Sequence, residues 1–367
     1  MKIDNNIESA IFNNNPLKTN SKTLTNEEYQ QELNKNNNIQ IDKNKLFNIK
    51  YLLFLINLTN PEIPEKIEFI EYIGYGSESK VFKAKIKNTN KFIAIKIIIN
   101  ENENININEI NISKILKNPN VIQFYGYSNI VNNKLGCFIM EYAKLGNLRD
   151  FQIKIIKRNV LSESLLCFFA YQILNGLKYC HISKIAHLDL KPQNIIIDEY
   201  LNAKLIDFSI SIDYSKTKSK NIQLKCKGTW AYMAPEVLSS EIINIKDLNK
   251  VDLFSFGVIL YNLAFGIYPF NINKEDSKDY YKTNEKIKKE NLDIKENKFF
   301  SSYFVDFVKK LLEKDINKRI NIIDAINHKW IQSAKILLEE KEKIFNTGIF
   351  LTYLITDHFK NLNDFLS

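Results

Sequence analysis

Between His187 and Asn194 the chain reads His-Leu-Asp-Leu-Lys-Pro-Gln-Asn. Asp189 and Asn194 stand five positions apart with Lys191 between them, so one loop can carry all three. In such a loop Asp189 can take the proton of a hydroxyl, Lys191 can meet a phosphate, and Asn194 can hold Mg²⁺. Taken singly, each could equally be a capping or surface residue. Asp207 follows the apolar pair Leu205-Ile206 and offers a carboxylate to the same kind of hard cation. Lys96 closes Ile93-Ala94-Ile95-Lys96, where a lone lysine ordinarily turns to solvent from a strand edge. In Ile73-Gly74-Tyr75-Gly76-Ser77-Glu78-Ser79-Lys80-Val81, glycines join two strand-like runs. Backbone N–H groups can come close to phosphate oxygens there, since no Cβ stands in the way. The same pattern is commonly no more than a turn.

The elements that must position these groups change character along the chain. Ile67–Ile73, Val81–Ile86 and Lys91–Ile99 are short and β-branched, with turn signals at Gly74, Gly76 and Asn88–Asn90, and predict strands. The run from Glu109 to Leu116 reads as a helix stopped at Asn118-Pro119-Asn120, because Pro119 disfavours helix just before it. After about residue 145, apolar residues recur at i, i+3, i+4 over Ser164–His181, Val251–Phe265 and Phe304–Glu313, which predicts helices. Residues 1–45 lack apolar periodicity and read as a disordered leader. Asn alone fills 13 of the first 50 positions there, so few large side chains are available to bury. Residues 46–66 read as an extension docking on the next domain through the apolar Leu46–Leu58. No internal repeat is visible.

As an ordered series, these motifs resemble those of eukaryotic protein kinases, serine/threonine type, over Ile67 to Trp330, nearly three quarters of the chain. The resemblance implies an α+β, two-lobed protein-kinase-like fold. A small β-rich N-lobe would cover 67–142 and a larger, mainly helical C-lobe 143–332, followed by a helical tail over 333–367. It also implies ATP and Mg²⁺ as cofactors and proteins bearing Ser or Thr as substrates. Ile73, Gly74 and Gly76 would cover the phosphates, with Ser79 in the third glycine position. Lys96 would pair with the α- and β-phosphates and be held by Glu109. Met140 would be the gatekeeper, and the Glu141 carbonyl and Ala143 amide would meet the adenine edge. Val81, Ala94 and Ile196 would sandwich the ring, although all three would be core residues in any case.

By the same resemblance Asp189 is the base, Lys191 neutralises the γ-phosphate, and Asn194 and Asp207 ligate Mg²⁺. Gly228-Thr229-Trp230-Ala231-Tyr232-Met233-Ala234-Pro235-Glu236 would seat the peptide, with Thr229 hydrogen-bonded to Asp189 and Lys191. That segment and Lys191 point to the serine/threonine type. Asp252 would anchor the catalytic-loop backbone, and Arg319 would pair with Glu236. There are four departures. Ser79 replaces a glycine, Ser113 an apolar residue and Leu188 an arginine, which makes this a "non-RD" sequence. Ser209 replaces the glycine after Asp207-Phe208, which would strain the loop if a positive φ were needed there. These departures support an alternative, a pseudokinase acting as a nucleotide-binding interaction module.

The composition, 45% hydrophobic and 25% charged, is that of an ordinary globular chain. The net charge of +9 comes from lysines scattered among Asn and Ile rather than gathered on one face, so no nucleic-acid partner is expected. No signal peptide or membrane span is read. Cys137, Cys167, Cys180 and Cys226 show no CxxC spacing and are expected as reduced thiols, with Cys226 open to a redox role. A cytoplasmic location is expected, with nuclear access left open. Ala334–Phe345 reads as an amphipathic helix, and Gly348–Ser367 is apolar enough to pack back on the domain or to bind a docking partner.

Overall fold

Nine residues, Ile67–Tyr75, form the first strand, β1, of an antiparallel sheet. It continues with β2 (Ser79–Ile86), β3 (Phe92–Ile99), β4 (Phe124–Ile130) and β5 (Leu135–Glu141) in the spatial order β1-β2-β3-β5-β4. The computed structural model describes residues 66–75, 79–99, 107–130, 135–226, 228–294, 300–343 and 347–355. The leader, nearly all of the 46–66 extension, Gly76 and the last twelve residues therefore lie outside the described residues.

Contacts divide the chain into two units. One runs to Ile110 and takes in Gln123–Tyr142; the other takes Asn111–Ile122 and everything from Ala143. In the first unit the β-branched alternation has its expected effect. Ile93, Ile95 and Ile97 point inward and are fully buried, as are Phe82 and Ala84 on β2. Register Val81↔Lys96 and Lys96↔Phe138 puts the lysine in the middle of the sheet. Helix α1 (Ile107–Ile115) follows β3, and Ile110 at its start packs with Phe124, Phe138 and Met140.

The second unit is built round two helices whose apolar residues run all the way round, the mark of a buried helix. They are α2 (Glu163–Ile182) and α3 (Leu248–Phe265). Ser162 caps α2, its hydroxyl accepting the Leu165 N–H at 3.4 Å. Gly266 ends α3 in the left-handed conformation, φ 73°. Within α3, Gly257 lets α4 (Ser302–Leu311) approach closely, since an added Cβ would stand 2.8 Å from that of Leu311. The Glu163 carboxylate fastens these layers by accepting from the Ser301 N–H (2.7 Å), the Ser301 hydroxyl and the Trp330 indole (2.8 Å).

The tail belongs to this unit. Helix α5 (Ala334–Lys343) is followed by α6 (Thr347–Ile355), which packs back on α2. The Phe350 ring meets Phe168 at 5.4 Å, and the Leu354 carbonyl accepts the Ser162 hydroxyl at 2.7 Å. The five-stranded antiparallel sheet and the helical second unit agree with the expected α+β fold. Among the described residues no helix is long and apolar enough to cross a membrane.

Candidate active site

A small β-hairpin brings the first pair of groups together. β6 (Ile195–Ile197) pairs antiparallel with β7 (Ala203–Leu205), and the Ile206 N–H donates to the Asn194 carbonyl at 3.0 Å. Asn194 and Asp207 thus leave the same end of one hairpin. The Asn194 amide nitrogen donates to the Asp189 carbonyl (2.8 Å) and carboxylate (2.9 Å). Its amide oxygen is thereby left as the acceptor, and with the Asp207 carboxylate it makes a donor set of hard oxygens. Those residues fit a divalent cation that prefers oxygen ligands.

The loop before this hairpin is held by a buried carboxylate. Asp252, on α3, accepts the N–H of His187 (2.9 Å) and of Leu188 (2.7 Å), and faces the His181 ring at 2.8 Å. Burial works against ionisation of Asp252, yet the His181 hydrogen bond and the backbone donors outweigh it and hold the carboxyl below its ordinary value. The anchoring matters because Leu188 sits at φ 66°, which costs a branched side chain about 1–2 kcal/mol. His187 ties the loop to the next one. Its Nδ1 accepts the Asp189 N–H (3.3 Å), so Nε2 carries the proton donated to the Ile206 carbonyl (2.9 Å). The Ser211 hydroxyl donates to the His187 carbonyl at 2.9 Å, and Phe208 packs on the His187 ring.

Asp189 itself is asymmetric. Its Oδ2 accepts from Lys191 Nζ (2.7 Å) and from Asn194 (2.9 Å). Its Oδ1 accepts nothing among the described residues and lies against Gly228, where an added Cβ would come within 2.7 Å of it. Gly228 has φ 111°, a conformation in which side chains are strained. The expected hydrogen bonds from Thr229 to Asp189 and Lys191 are not formed. The chain at Thr229 turns into a 3-10 helix (Trp230–Tyr232), and it is the neighbouring glycine that reaches the carboxylate.

In the other unit, Lys96 Nζ meets Glu109 Oε1 at 2.9 Å, with side-chain exposures of 14% and 5%. Such a pair holds its geometry because either partner left alone would be a buried, uncompensated charge. Gly74 has open space where a Cβ would be, and Ile73 is exposed. Val81 is half-buried on β2, and Ala94 is buried on β3. Met140 packs on the Ile110 cluster, and the Glu141 carboxylate accepts the Gln123 N–H at 2.9 Å. In the second unit the Ala143 amide has no acceptor among the described residues, and Ile196 is half-buried on β6.

The strain expected at Ser209 is absent. The left-handed residue of that loop is Asp207, at φ 66°, and aspartate tolerates this conformation better than most. Leu188, at the position where the resemblance expects an arginine, borders a cavity of about 290 Å³ with a mixed lining, apolar at Ile210, Leu224, Met233 and Val251 and polar at Ser209, Ser211, Gln223, Lys225 and Ser255. Arg319 and Glu236 form the anticipated pair, two parallel bonds of 2.6 and 2.9 Å, both side chains buried. The roles of His181, His187 and Ser211 could not be read from spacing. Their partners lie 19 to 71 residues away, and only the fold unites them. The cysteines are free, and burial pushes the Cys137 and Cys167 thiols up to about 12. Burial also raises the Cys226 thiol, which disfavours the reactive thiolate.

The sequence profile of the protein kinase domain family matches residues 67–331. CBL-interacting protein kinase 11 of Oryza sativa is 33% identical over 266 residues, covering 70% of this chain and 50% of that protein. The probable serine/threonine-protein kinase MARK-A of Dictyostelium discoideum is 32% identical over 302 residues, 80% of this chain and 26% of its own length. The human serine/threonine-protein kinase ULK3 is 31% identical over 269 residues, 71% and 53% respectively. The chain thus spans about half the length, or less, of the curated relatives it matches.

Proposed function

The chain belongs to the protein kinase family, and from that membership we propose that it transfers the γ-phosphoryl group of Mg-ATP to serine or threonine hydroxyls of proteins. The observation that carries this reading is the divided carboxylate of Asp189. One oxygen is fixed by Lys191 and Asn194, and the other is left to accept a hydrogen bond from an incoming hydroxyl. A base held this way orients the nucleophile and takes its proton as the bond to phosphorus forms. Lys191, 2.7 Å from the same carboxylate, brings positive charge to the transferring phosphoryl group. Lys96, steadied by Glu109, meets the α- and β-phosphates, and Ile73, Gly74 and Gly76 cover them. Val81, Ala94 and Ile196 hold the adenine, Met140 borders it, and the Glu141 carbonyl and Ala143 amide bond its edge. Asn194 and Asp207 would hold the divalent cation, proposed as Mg²⁺, and its charge would offset that of the phosphates.

The pseudokinase alternative draws no support from the site. Ser79, Ser113, Leu188 and Ser209 replace none of the residues that would touch nucleotide, metal or hydroxyl, and Ser209 does not have a positive φ. The test is Asp189→Asn. Phosphotransfer should fall at least about a hundredfold, the usual worth of a positioned base, while ATP binding is retained. Turnover equal to that of the wild type would remove Asp189 from the mechanism.

A further inference from the structure

The segment leading to the proposed base is strongly one-signed. Between Tyr214 and Gly228 stand Lys216, Lys218, Lys220, Lys225 and Lys227, with no aspartate or glutamate. Lys216 is spent on Asp213, at 2.8 Å. Lys218, Lys220 and Lys225 are exposed and have no ion-pair partner among the described residues. The segment is not a loose loop. Its strand β8 (Asn221–Gln223) pairs antiparallel with β9 (Ile242–Asn244), and Leu224 is buried behind it. Pairing continues beyond the strands, the Ile245 N–H donating to the Lys220 carbonyl at 3.0 Å, which brings the exposed Lys246 beside Lys220. The neighbouring acids do little to offset this charge. Asp247 is paired with Lys250 at 3.1 Å, and Glu241 alone stands exposed just before β9.

This basic ribbon ends at the chemistry. Gly228 abuts the Asp189 carboxylate, and Lys225 is three residues before it, a reach of at most about 11 Å along the chain. An extended peptide presenting a hydroxyl to Asp189 covers that distance in about three residues. Gln193, the one exposed residue between His187 and Asn194, carries no charge. From Lys225, and from Lys218, Lys220 and Lys246 further along the same ribbon, and resting on the proposed kinase activity, we infer that this protein selects phosphoacceptor sites flanked by acidic or phosphorylated residues, the nearest about three positions from the acceptor. An exposed lysine acts on a peptide carboxylate that comes within the Debye length of about 8–10 Å at ordinary salt, so the charge acts on peptide capture more than on the chemical step.

Two measurements on the full chain separate this inference from the activity it rests on. The first is fluorescence anisotropy with serine peptides that differ only in flanking residues, Asp/Glu, Ala or Lys/Arg. The acidic peptide should bind about tenfold more tightly than the neutral one, lose that advantage in about 0.5 M salt, and lose it in a Lys220→Glu/Lys225→Glu variant. The second is kcat/KM for phosphate transfer to the same peptides, with the same order expected and the neutral peptide unaffected by the double substitution. Equal binding of all peptides, a preference for the basic one, or equally tight capture of a single-stranded oligonucleotide of matching charge overturns the selection of acidic sites. Acidic preference in binding without transfer to any peptide upholds the inference and overturns the kinase activity instead.

Discussion

At the scale of single residues, the site depends on what is missing at Gly228 as much as on what is present at Asp189. Gly228→Ala should abolish most phosphotransfer, because the new methyl group would press on Oδ1 at 2.7 Å while the backbone holds φ 111°. The same change should also destabilise by more than about 1 kcal/mol, the cost of a side chain forced into that conformation. Steady-state kinetics and thermal unfolding of one preparation check both parts, and a Gly228→Ala protein with normal kcat would contradict the reading of Oδ1. Arg319→Ala should cost about 3–5 kcal/mol in urea unfolding, because it strands the buried Glu236 carboxylate. The polar residues at this scale were legible because their types and order are distinctive. What was not legible was backbone conformation. Leu188 and Asp207 carry the positive φ values, and the strain anticipated at Ser209 does not arise there. The anchoring of the catalytic-loop backbone by Asp252 was implied by the resemblance, whereas the positive φ that it holds at Leu188, 64 positions away, was not.

At the scale of elements, strands and long helices followed their apolar periodicity, and their ends were set by caps the pattern does not contain. The run read as Ser164–His181 is observed as Glu163–Ile182, because Ser162 supplies the cap. A cap also gives the short helix Lys329–Gln332 a dependence on pH. His328 Nδ1 accepts the Trp330 N–H at 3.3 Å, while Nε2 donates to Asp306 at 2.9 Å. Burial lowers the imidazole from its ordinary value against the pull of Asp306, and Lys310 adds to the lowering. The unfolded chain therefore takes up this proton first as pH falls. Stability should decline from about pH 6.5 to the lowered folded value and level off below it. His328→Asn keeps an acceptor for the cap and cannot titrate, so its melting temperature should lack this component between pH 7.5 and 5. Equal slopes for the two proteins would remove His328 as the cause. The tail helix Thr347–Ile355 is tied to Glu163–Ile182 through Phe350. Phe350→Ala should cost about 3 kcal/mol, read by urea unfolding.

At the scale of the whole molecule, the residues of the proposed machinery divide between two units, the Lys96–Glu109 pair in one and the Asp189, Lys191, Asn194 and Asp207 group in the other. Mg-ATP should therefore stabilise the chain by about 2.7 kcal/mol at a hundred times its dissociation constant, and chelation of the metal should remove most of that gain. Thermal shifts with and without EDTA measure it. The central claim is that the terminal phosphoryl group leaves ATP for a protein hydroxyl. Its most direct measure is the fate of label from γ-labelled ATP, incubated with the full chain and an acidic serine- and threonine-containing protein, followed by phosphoamino acid analysis. The account predicts label on serine or threonine with the wild type and at least about a hundredfold less with Asp189→Asn. Label recovered only as inorganic phosphate, or transferred equally well by both proteins, would contradict it.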